Sequence, residues 1–532
     1  MGIPSYFSYI VKNHNEIIQK YVKNLMEVHH LYLDCNSIIY DVVRSINFDH
    51  LTESVHQSII QEVIVKLEDY ICTIEPRGNV MIAFDGVAPV AKLEQQRTRR
   101  YKSWYQAEVS KGIFNKEGTD AWNTTAITPG TLFMQELSAG VLNHFQNCSK
   151  FPKNNIIVST SNDCGEGEHK IFDYIRQHPL EHKDQVTVIY GLDADLIMLS
   201  INHLPVSPNI YLYRETPEFI KSIDNSLEPN ESYLLDIPRL AEVITTDMDG
   251  GFKNKSSISC NRVYDYIFLC FFLGNDFLPH FPAANIRTGG IDKLLNAYKA
   301  TISGNEILTD GKTIYWKNVR KLVGFMAQHE EEWIGKEMLL RDKREKFNYP
   351  ETTPEQKYAK FEAIPNYERE MEKYIEPRKK FWQYRYYKAL FQIEINEASC
   401  KEIATNYLEG LEWTMKYYTE GCPDWRWYYK SNYPPLFSDL LKYIPHFGDE
   451  FIVNKKQNPV SPLVQLCYVL PRHSLHFLPE KLYKTLIKKH EDWYKTDCDF
   501  VWAFCKYFWE CHIDLPHIDI NELEKLVEKI ET

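Results

Sequence analysis

The sequence predicts an α/β domain built on a mostly parallel central sheet, followed by a mostly helical domain. In the first part of the chain, short apolar runs of strand length alternate with amphipathic helical segments, an arrangement typical of parallel sheets. Several of these runs end in an aspartate, so the sheet is expected to carry carboxylates at the C-terminal edge of its strands. We place the two domains at residues 1–305 and 306–532.

The predicted elements follow one another in a regular order. Strands are predicted for residues 31–33, 80–84, 156–158, 186–190 and 209–214, and helices for residues 1–22, 52–73, 128–145, 263–274 and 286–300. Residues 222–259 lack periodicity and are predicted to be loop-rich, and the polar residues 112–125 read as a mobile segment or a projecting helical arm. The charged residues 333–387 predict long solvated helices broken at Pro350, Pro354 and Pro365.

The composition narrows the class of protein. The chain has 532 residues, of which 44% are hydrophobic and 25% charged, as is ordinary for a globular protein. No apolar run reaches the length that spans a bilayer. The 12 cysteines are scattered without a CxxC pair and no signal peptide is recognisable, so we expect a reducing compartment without disulfides. With a net charge of −12, a nucleic-acid site would need locally concentrated positive charge.

Acidic residues recur where the predicted strands end and where helices begin or end. They are Asp34, Asp85, Glu166, Glu168, Asp193, Asp195 and Asp276. In the sequence, no basic residue lies closer to Glu166, Glu168, Asp193 and Asp195 than Lys170, so these carboxylates should repel one another unless divalent cations neutralise them. Oxygen ligands suit Mg²⁺ or Mn²⁺ rather than zinc. A single aspartate pair after a strand is more often a turn or a helix cap, but the repetition at several strands favours a metal site.

A basic run follows Asp85 directly. Lys92, Gln96, Arg99 and Arg100 are spaced by about one helical turn, so they could converge on one helix face and grip a phosphate. A solvated basic helix face explains the same spacing about equally well. The position of the run, immediately after an acid-tipped strand, favours a binding site.

Seven segments together resemble, in order, the N-terminal signatures of the XRN 5′→3′ exoribonucleases. They are MGIPSYFSYI, LYLDCNSIIY, AFDGVAPVAKLEQQRTRR, ITPGTLFM, SNDCGEGEHKIFDYIR, YGLDADLIMLS and FLCFFLGNDFLPH. The later stretches YLEGLEWTMKYYTEGCPDWRWYYKSNYPPLFSDL and WECHIDLPHIDINELEKLVE are similar to the Trp- and Tyr-rich segment and to the end of the same family's core. The chain resembles that core without the long C-terminal extensions of the large cytoplasmic members.

The resemblance implies a fold of the flap-endonuclease/PIN-like type and a metal-dependent nuclease. The seven acids named above match the family's catalytic set, which holds two Mg²⁺ ions, with Mn²⁺ as a substitute. Lys92, Gln96, Arg99 and Arg100 match its pocket for a 5′-terminal phosphate, which is too small for a cap or triphosphate. The implied reaction is processive 5′→3′ degradation of single-stranded, 5′-monophosphorylated RNA to mononucleotides, as in mRNA decay.

Two residues depart from the family's pattern. Tyr40 stands where a histidine usually stacks on the terminal base, and Ser37 replaces a glycine. A tyrosine can still stack on a base. Trp425 or Trp427 is expected to supply the other stacking ring, although core packing is the better prediction for most aromatic residues of that segment.

Two other functions stay open at the level of the sequence. One is a flap-endonuclease-like 5′ nuclease acting on DNA, and the other is a non-catalytic RNA-binding scaffold. The basic run favours RNA exonuclease activity over the first, and the seven intact acids weigh against the second. We further expect a monomer without membrane association, with decapping or RNA-decay factors as partners, and cytoplasmic localisation with the nucleus as the alternative.

Overall fold

The computed structural model describes residues 2–23, 26–46, 54–115, 122–250, 257–302, 304–453, 455 and 457–531. Seven strands form the main sheet: β1 (Ile18–Lys20), β2 (His30–Asp34), β3 (Asn79–Ala83), β4 (Asn155–Ser159), β5 (Thr187–Tyr190), β6 (Ile210–Glu215) and β7 (Ser232–Asp236). The strand order is β1-β7-β6-β5-β2-β3-β4. The pairs among β2 to β6 are parallel, and β7 pairs antiparallel with both β6 and β1. The sheet is therefore mostly parallel, which confirms the predicted fold class.

Helices cover both faces of this sheet. Those of the first part are α1 (Tyr6–Asn13), α2 (Asn36–Ser45), α3 (Val55–Ile74), α4 (Val90–Phe114), α5 (Leu132–Gln146), α6 (Gly167–Gln177), α7 (Pro179–His182), α8 (Asp195–His203), α9 (Ile237–Met248), α10 (Ser257–Phe271) and α11 (Gly290–Thr301). The five predicted strands and most of the predicted helices lie where the apolar patterns place them. One apolar cluster packs α3 and α5 on one face of the sheet, and a larger one packs α6, α8 and α10 on the other.

The later part of the chain is mostly helical. Its helices are α12 (Trp316–Glu345), α13 (Pro354–Glu362), α14 (Glu370–Ile375), α15 (Trp382–Leu390), α16 (Glu397–Thr419), α17 (Phe437–Tyr443), α18 (Pro462–Val469), α19 (Glu480–Lys489) and α20 (Ile520–Glu531). A short antiparallel pair, β8 (Phe500–Val501) and β9 (His512–Ile513), accompanies them. The division at residue 305 stays a prediction. Among the helices described, none combines the length and apolar character that crossing a bilayer requires.

The long helix α4 joins the two parts of the chain. Val90 and Leu93 near its start are buried in a cluster with residues of α18 and α20. Further along the helix, the Arg97 guanidinium donates to the carbonyl oxygens of Pro516 (2.7 Å) and Trp493 (3.1 Å). The helix that carries the basic run is therefore anchored to the helical part over its first two turns. The expected arm at residues 112–125 begins within α4, which extends to Phe114. Residues 116–121 of that arm lie outside the described part.

Two local predictions were wrong. Residues 1–22 do not form one helix, because α1 ends at Asn13 and residues 18–20 pair with β7 as a sheet-edge strand. Residues 222–259 were expected to be loop-rich, yet they contain β7 and α9, whose N-terminus is capped by the Asp236 side chain. Both errors have one cause, since an edge strand and its partner support each other across about 215 residues and leave little periodicity in either segment.

The charged helices after residue 333 are not simply solvated. The Glu372 carboxylate is buried and pairs with two buried guanidinium groups, those of Arg341 (2.6 Å) and Arg369 (2.6 Å). Trp333 and Met338 lie in the core on the same helix, α12. The expected breaks do occur, because Pro354 starts α13 and Pro365 lies in the turn after it.

Candidate nuclease site

The acidic residues meet at the carboxyl edge of three adjacent parallel strands. Asp34 is the last residue of β2 and pairs in register with Ala83, two residues before Asp85. Leu33 of β2 pairs with Tyr190, the last residue of β5, after which Asp193 and Asp195 follow. Parallel strands end at the same edge of a sheet, so these four carboxylates are delivered to one place. Glu166 occupies the position directly before α6, and Glu168 lies in the first turn of that helix.

The central part of the site has the geometry of a cation site. Carboxylate oxygens of Asp34, Asp85 and Glu168 lie within 4.8 Å of one another. Oδ1 of Asp34 is buried and has no hydrogen-bond partner among the described residues. A buried, unpartnered acceptor is costly unless a ligand occupies its lone pairs. The donor set consists of oxygens alone and fits a hard divalent cation such as Mg²⁺.

A glycine allows the acids to approach so closely. A Cβ atom at Gly167 would lie 2.5 Å from Oδ1 of Asp34 and 3.1 Å from the carbonyl oxygen of Ala83. Gly167 also donates its backbone N–H to Oδ1 of Asp85 (2.7 Å). Any larger residue at position 167 would push α6, and Glu168 with it, away from the strand ends.

Burial and mutual repulsion disfavour the charged forms of several acids. Burial, with repulsion from Asp85, raises the pKa of Asp34 well above its usual range. Burial and the Glu166 carboxylate raise the pKa of Glu168 in the same way, and burial and Asp276 raise the pKa of Asp195 to about 7. Such a cluster takes up protons or cations near neutral pH, which is the electrostatic behaviour of a metal site.

Asp85 is held in a fixed orientation. The Asn36 side-chain amide donates to Oδ2 of Asp85 (2.7 Å), and Oδ1 of Asn36 accepts from the Asp85 backbone N–H (3.0 Å). Together with the Gly167 N–H, this pairing engages both carboxylate oxygens of Asp85. Asn36 starts α2, directly after β2, so the contact also fixes the start of that helix.

Lys92 lies inside the acid cluster. Its Nζ atom is 2.5 Å from Oε1 of Glu166 and 2.6 Å from Oδ2 of Asp276, and its side chain is 10% exposed. Burial raises the pKa of Asp276, but attraction to Lys92 outweighs it and holds that pKa below its usual value. The expectation that Lys170 is the nearest base was therefore wrong. Lys170 Nζ instead donates to the carbonyl oxygens of Phe84 (2.7 Å) and Thr160 (2.8 Å).

The other residues of the basic run point in different directions from α4. Arg99 lines a cavity of about 850 Å³ that also borders Asp276 and Gly2. Gln96 and Arg100 do not line this cavity. The Gln96 Oε1 and Arg100 Nε atoms are buried without hydrogen-bond partners among the described residues. Burial lowers the pKa of Arg100 to about 10 against an opposing interaction with Tyr40, which places that ring near the guanidinium.

With this geometry in place, the chain can be compared with known proteins. The model of the XRN 5′-3′ exonuclease N-terminus matches residues 1–216, and the model of the Xrn1 helical domain matches residues 259–374 and 355–532. The chain belongs to the XRN 5′-3′ exonuclease family. It carries that family's nuclease domain with the helical domain after it.

Curated XRN relatives match nearly the whole chain. The chain is 26% identical to 5′-3′ exoribonuclease 2 of Arabidopsis thaliana over 100% of its own length and 67% of the relative. It is 28% identical to 5′-3′ exoribonuclease 1 of Saccharomyces cerevisiae over 90% of its length and 40% of the relative. The corresponding values for 5′-3′ exoribonuclease 2 of Gallus gallus are 26%, 100% and 70%. The chain thus spans between two-fifths and seven-tenths of these relatives.

The helical domain contributes two tyrosines that sequence reasoning missed. The Tyr417 hydroxyl donates to Oε2 of Glu166 (2.9 Å), and the Tyr418 hydroxyl donates to Oδ1 of Asp195 (3.0 Å). The Tyr417 ring stacks on His169 with centroids 3.8 Å apart. Both tyrosines lie on α16 in the segment that resembles the XRN Trp- and Tyr-rich stretch. That resemblance was the one feature of the sequence that could have indicated their role in the site, because uncharged residues on a buried helix are otherwise interpreted as core residues.

The two expected stacking tryptophans differ in their surroundings. The Trp427 ring is 8% exposed, stacks on Trp413 (5.2 Å between centroids) and donates its Nε1–H to Glu409 (3.2 Å). A Cβ atom at Gly410 would lie 2.8 Å from it, so the ring is enclosed by the XRN helical domain. Trp425 is half-buried, and its carbonyl oxygen accepts from the Val90 N–H (3.1 Å) at the start of α4.

Proposed function

We propose that this chain is a Mg²⁺-dependent 5′→3′ exoribonuclease that degrades single-stranded, 5′-monophosphorylated RNA processively to mononucleotides. The observation that carries the proposal is that a cluster of carboxylates and a cluster of basic side chains lie next to each other. Buried carboxylates at the sheet edge lie next to the basic side chains of α4, with Lys92 between Glu166 and Asp276. A site that cleaves next to a terminal phosphate needs both, since cations hold the scissile phosphate and a basic pocket holds the terminal one.

The acids supply the oxygen ligands for the cations. Asp34, Asp85 and Glu168 form the group whose oxygens lie closest together. Glu166, Asp193, Asp195 and Asp276 complete the proposed set of seven. When bound, two Mg²⁺ ions, or Mn²⁺ in their place, would lower the pKa of an attacking water and stabilise the leaving 3′ oxygen.

The chain's own residues hold this ligand set in position. Asn36 and the Gly167 N–H orient Asp85. Tyr417 and Tyr418 restrain Glu166 and Asp195 through hydrogen bonds from the helical domain. Preorganised ligands lose less freedom when the cations and the strand bind, which favours the reaction.

The basic side chains of α4 are proposed to bind the 5′-phosphate. A phosphate dianion would offer Lys92 a charge partner in place of the carboxylates that cations neutralise. Arg99 would reach the phosphate from the cavity beside Asp276. Gln96 and Arg100 each offer a buried polar atom that has no hydrogen-bond partner among the described residues. Charge-assisted bonds of this kind are worth roughly 1.5–3 kcal/mol each.

Tyr40 is proposed to stack on the terminal base. Its ring is partly buried and lies near Arg100, which would place a stacked nucleoside next to the phosphate-binding side chains. Trp425 is the better second candidate, because both the ring and the Nε1–H of Trp427 are engaged within the helical domain. Stacking contributes roughly 1–3 kcal/mol per base and tolerates any sequence.

A four-substrate assay tests the proposal. Uniformly labelled RNA and DNA of one sequence, each with a 5′-monophosphate or a 5′-hydroxyl, would be incubated with the protein and Mg²⁺, and product lengths would be followed over time. We expect mononucleotides from 5′-monophosphate RNA alone at an appreciable rate, with EDTA stopping the reaction and Mn²⁺ restoring it.

The matched control is the double variant Asp193→Ala, Asp195→Ala, which should bind RNA but not cleave it. Preferred cleavage of DNA would instead support a flap-endonuclease-like activity. RNA binding without cleavage by the wild-type protein would support a scaffold. Equal rates on monophosphate and hydroxyl ends would contradict the phosphate pocket.

The cellular setting remains a proposal as well. We infer a monomer that acts in the cytoplasm in mRNA decay, with the nucleus as the alternative compartment and decapping or RNA-decay factors as partners. Co-purification of tagged protein from fractionated cells tests these points.

A further inference from the structure

A second group of potential metal ligands lies away from the nuclease site. One ligand atom each of Glu68, His144 and Cys148 lies within 4.8 Å of the others. Glu68 and His144 side chains are 17% and 34% exposed, so an ion can reach them from solvent. A carboxylate, an imidazole and a thiol form a set that the nuclease chemistry does not use, and it differs from the all-oxygen set of Asp34, Asp85 and Glu168.

The packing of two helices creates this group. A Cβ atom at Gly140 of α5 would lie 2.8 Å from Cγ2 of Ile60 on α3, which shows how closely the helices approach. Glu68 lies two turns beyond Ile60 on α3, His144 lies one turn beyond Gly140 on α5, and Cys148 follows two residues after the end of α5. Both helices lead into strands at their C-terminal ends, so this group lies at the edge of the sheet opposite to the catalytic acids.

The present contacts within the group are compatible with an ion. His144 donates its Nε2–H to Oε1 of Glu68 (2.9 Å), and Lys150 Nζ donates to the other oxygen, Oε2 (2.6 Å). A metal ion can take the place of this first hydrogen bond while Lys150 stays bound to Oε2 as an outer partner of the ligand. Ligand atoms around tetrahedral zinc lie roughly 3.4–3.8 Å apart, so small side-chain rotations would close the site.

From this geometry we infer that Glu68, His144 and Cys148 form a zinc site that fastens α3 to α5. Nitrogen, sulfur and a single carboxylate oxygen favour Zn²⁺ over Mg²⁺. Water fills the fourth position, which faces solvent. Zn²⁺ takes the lone pair of His144 Nε2 while the ring carries its proton on Nδ1, and the Cys148 thiol releases its proton to solvent, so affinity rises with pH. The bound ion stabilises the folded chain, because the unfolded chain does not bring the three ligands together.

Cobalt(II) provides a probe that separates this site from the nuclease site. Full-length protein freed of metal with EDTA and returned to saturating Mg²⁺ would be titrated with Co²⁺, and the thiolate-to-cobalt absorption band would be recorded. We expect the band to saturate at one equivalent and to disappear when Zn²⁺ is added. The melting temperature should rise with Zn²⁺ concentration in the same buffer.

Variants identify the ligands. Cys148→Ser and His144→Gln should remove the band and the thermal shift, and Glu68→Gln should weaken both. The matched control is His56→Gln, which breaks a 2.6 Å imidazole–carboxylate pair with Glu136 across the same two helices but involves no thiol.

Two cysteines serve as further controls. Cys164→Ser, next to the acid cluster, and Cys72→Ser, one turn beyond Glu68, should both retain the band. The inference is overturned if wild-type protein gives no band, if Cys148→Ser retains it, or if either cysteine control removes it. The melting temperatures of the metal-free variants show whether each variant is folded.

Discussion

Replacing Lys92 by methionine tests the electrostatic account of the site. Lys92 places one positive charge between two buried carboxylates, at 2.5 Å from Glu166 and 2.6 Å from Asp276. Methionine has a similar length and no charge. Removing one partner of a buried ion pair typically costs about 3–5 kcal/mol, because the remaining charges stay buried without compensation. We expect a loss of this size at pH 7 in EDTA.

The pH dependence of that loss follows from the pKa shifts. In the wild type, attraction to Asp276 and Glu166 outweighs burial and raises the pKa of Lys92, while Lys92 holds the pKa of Asp276 low. Lys92, whose pKa is raised, contributes stability below its pKa in the unfolded chain, and Asp276, whose pKa is lowered, contributes stability above its pKa in the unfolded chain. The contribution of the Lys92–Asp276 ion pair is therefore constant from pH 5 to 7. Burial already raises the pKa of Glu166 in the wild type; without Lys92 it raises that pKa further and raises the pKa of Asp276 as well, so the folded state takes up more protons as the pH falls.

The cost of the substitution should therefore shrink on acidification. For each carboxyl that takes up a proton in the folded variant, the loss in the free energy of unfolding shrinks by about 1.4 kcal/mol per pH unit. Between pH 7 and pH 5 the loss can therefore shrink by up to about 2.7 kcal/mol per carboxyl. Wild-type protein also gains stability over this range in EDTA, because the pKa of Asp195 is already raised to about 7. The quantity to measure is the difference between the urea midpoints of variant and wild type at each pH.

Lys170→Met is the matched control for this measurement. Its partly buried Nζ donates to two carbonyl oxygens rather than to carboxylates, and burial lowers its pKa to about 8. Its loss should cost stability by an amount that stays constant between pH 5 and 7. A Lys92→Met cost below about 1 kcal/mol at pH 7, or one that does not change with pH, would refute the reasoning.

Substitutions at four other residues test separate parts of the site. Asp195→Asn should abolish hydrolysis, yet it should raise the melting temperature in EDTA at pH 8 because it removes a carboxylate that its neighbours repel. Retained cleavage would argue against Asp195 as a metal ligand. Tyr418→Phe should lower stability by about 0.5–1.5 kcal/mol and slow cleavage, measured by urea unfolding and single-turnover assays, through loss of its bond to Asp195. Arg99→Ala should slow degradation of 5′-monophosphate RNA about ten- to a hundredfold, with 5′-hydroxyl RNA as the comparison that stays unchanged. Tyr40→Ala should shorten processive runs when competitor RNA is added after binding, whereas Tyr40→Phe should behave like the wild type. Equal product lengths for Tyr40→Ala and the wild type would show that Tyr40 is a core residue and not a stacking residue.

Local patterns in the sequence determined the sheet and the positions of its acids. A buried parallel strand is a short apolar run, and the residue after it lies at the carboxyl edge whatever else the chain does. The runs before Asp34 and Asp85, and the run that ends at Tyr190, therefore predicted where three groups of carboxylates lie. Helical spacing predicted that Lys92, Gln96, Arg99 and Arg100 could converge on one face of α4, and Lys92 and Gln96 are both buried there.

Only the tertiary structure decided which groups contact one another. Sequence spacing cannot show that Lys92 inserts between Glu166 and Asp276, because those residues are 74 and 184 positions away from it. For the same reason Tyr417 and Tyr418 gave no sign of their hydrogen bonds to the acids, since a buried tyrosine on a helix looks the same in the sequence whether its hydroxyl meets a carboxylate or a carbonyl. The short edge strands β1 and β7 are stabilised by each other across the chain, and neither has a pattern strong enough to be recognised by itself.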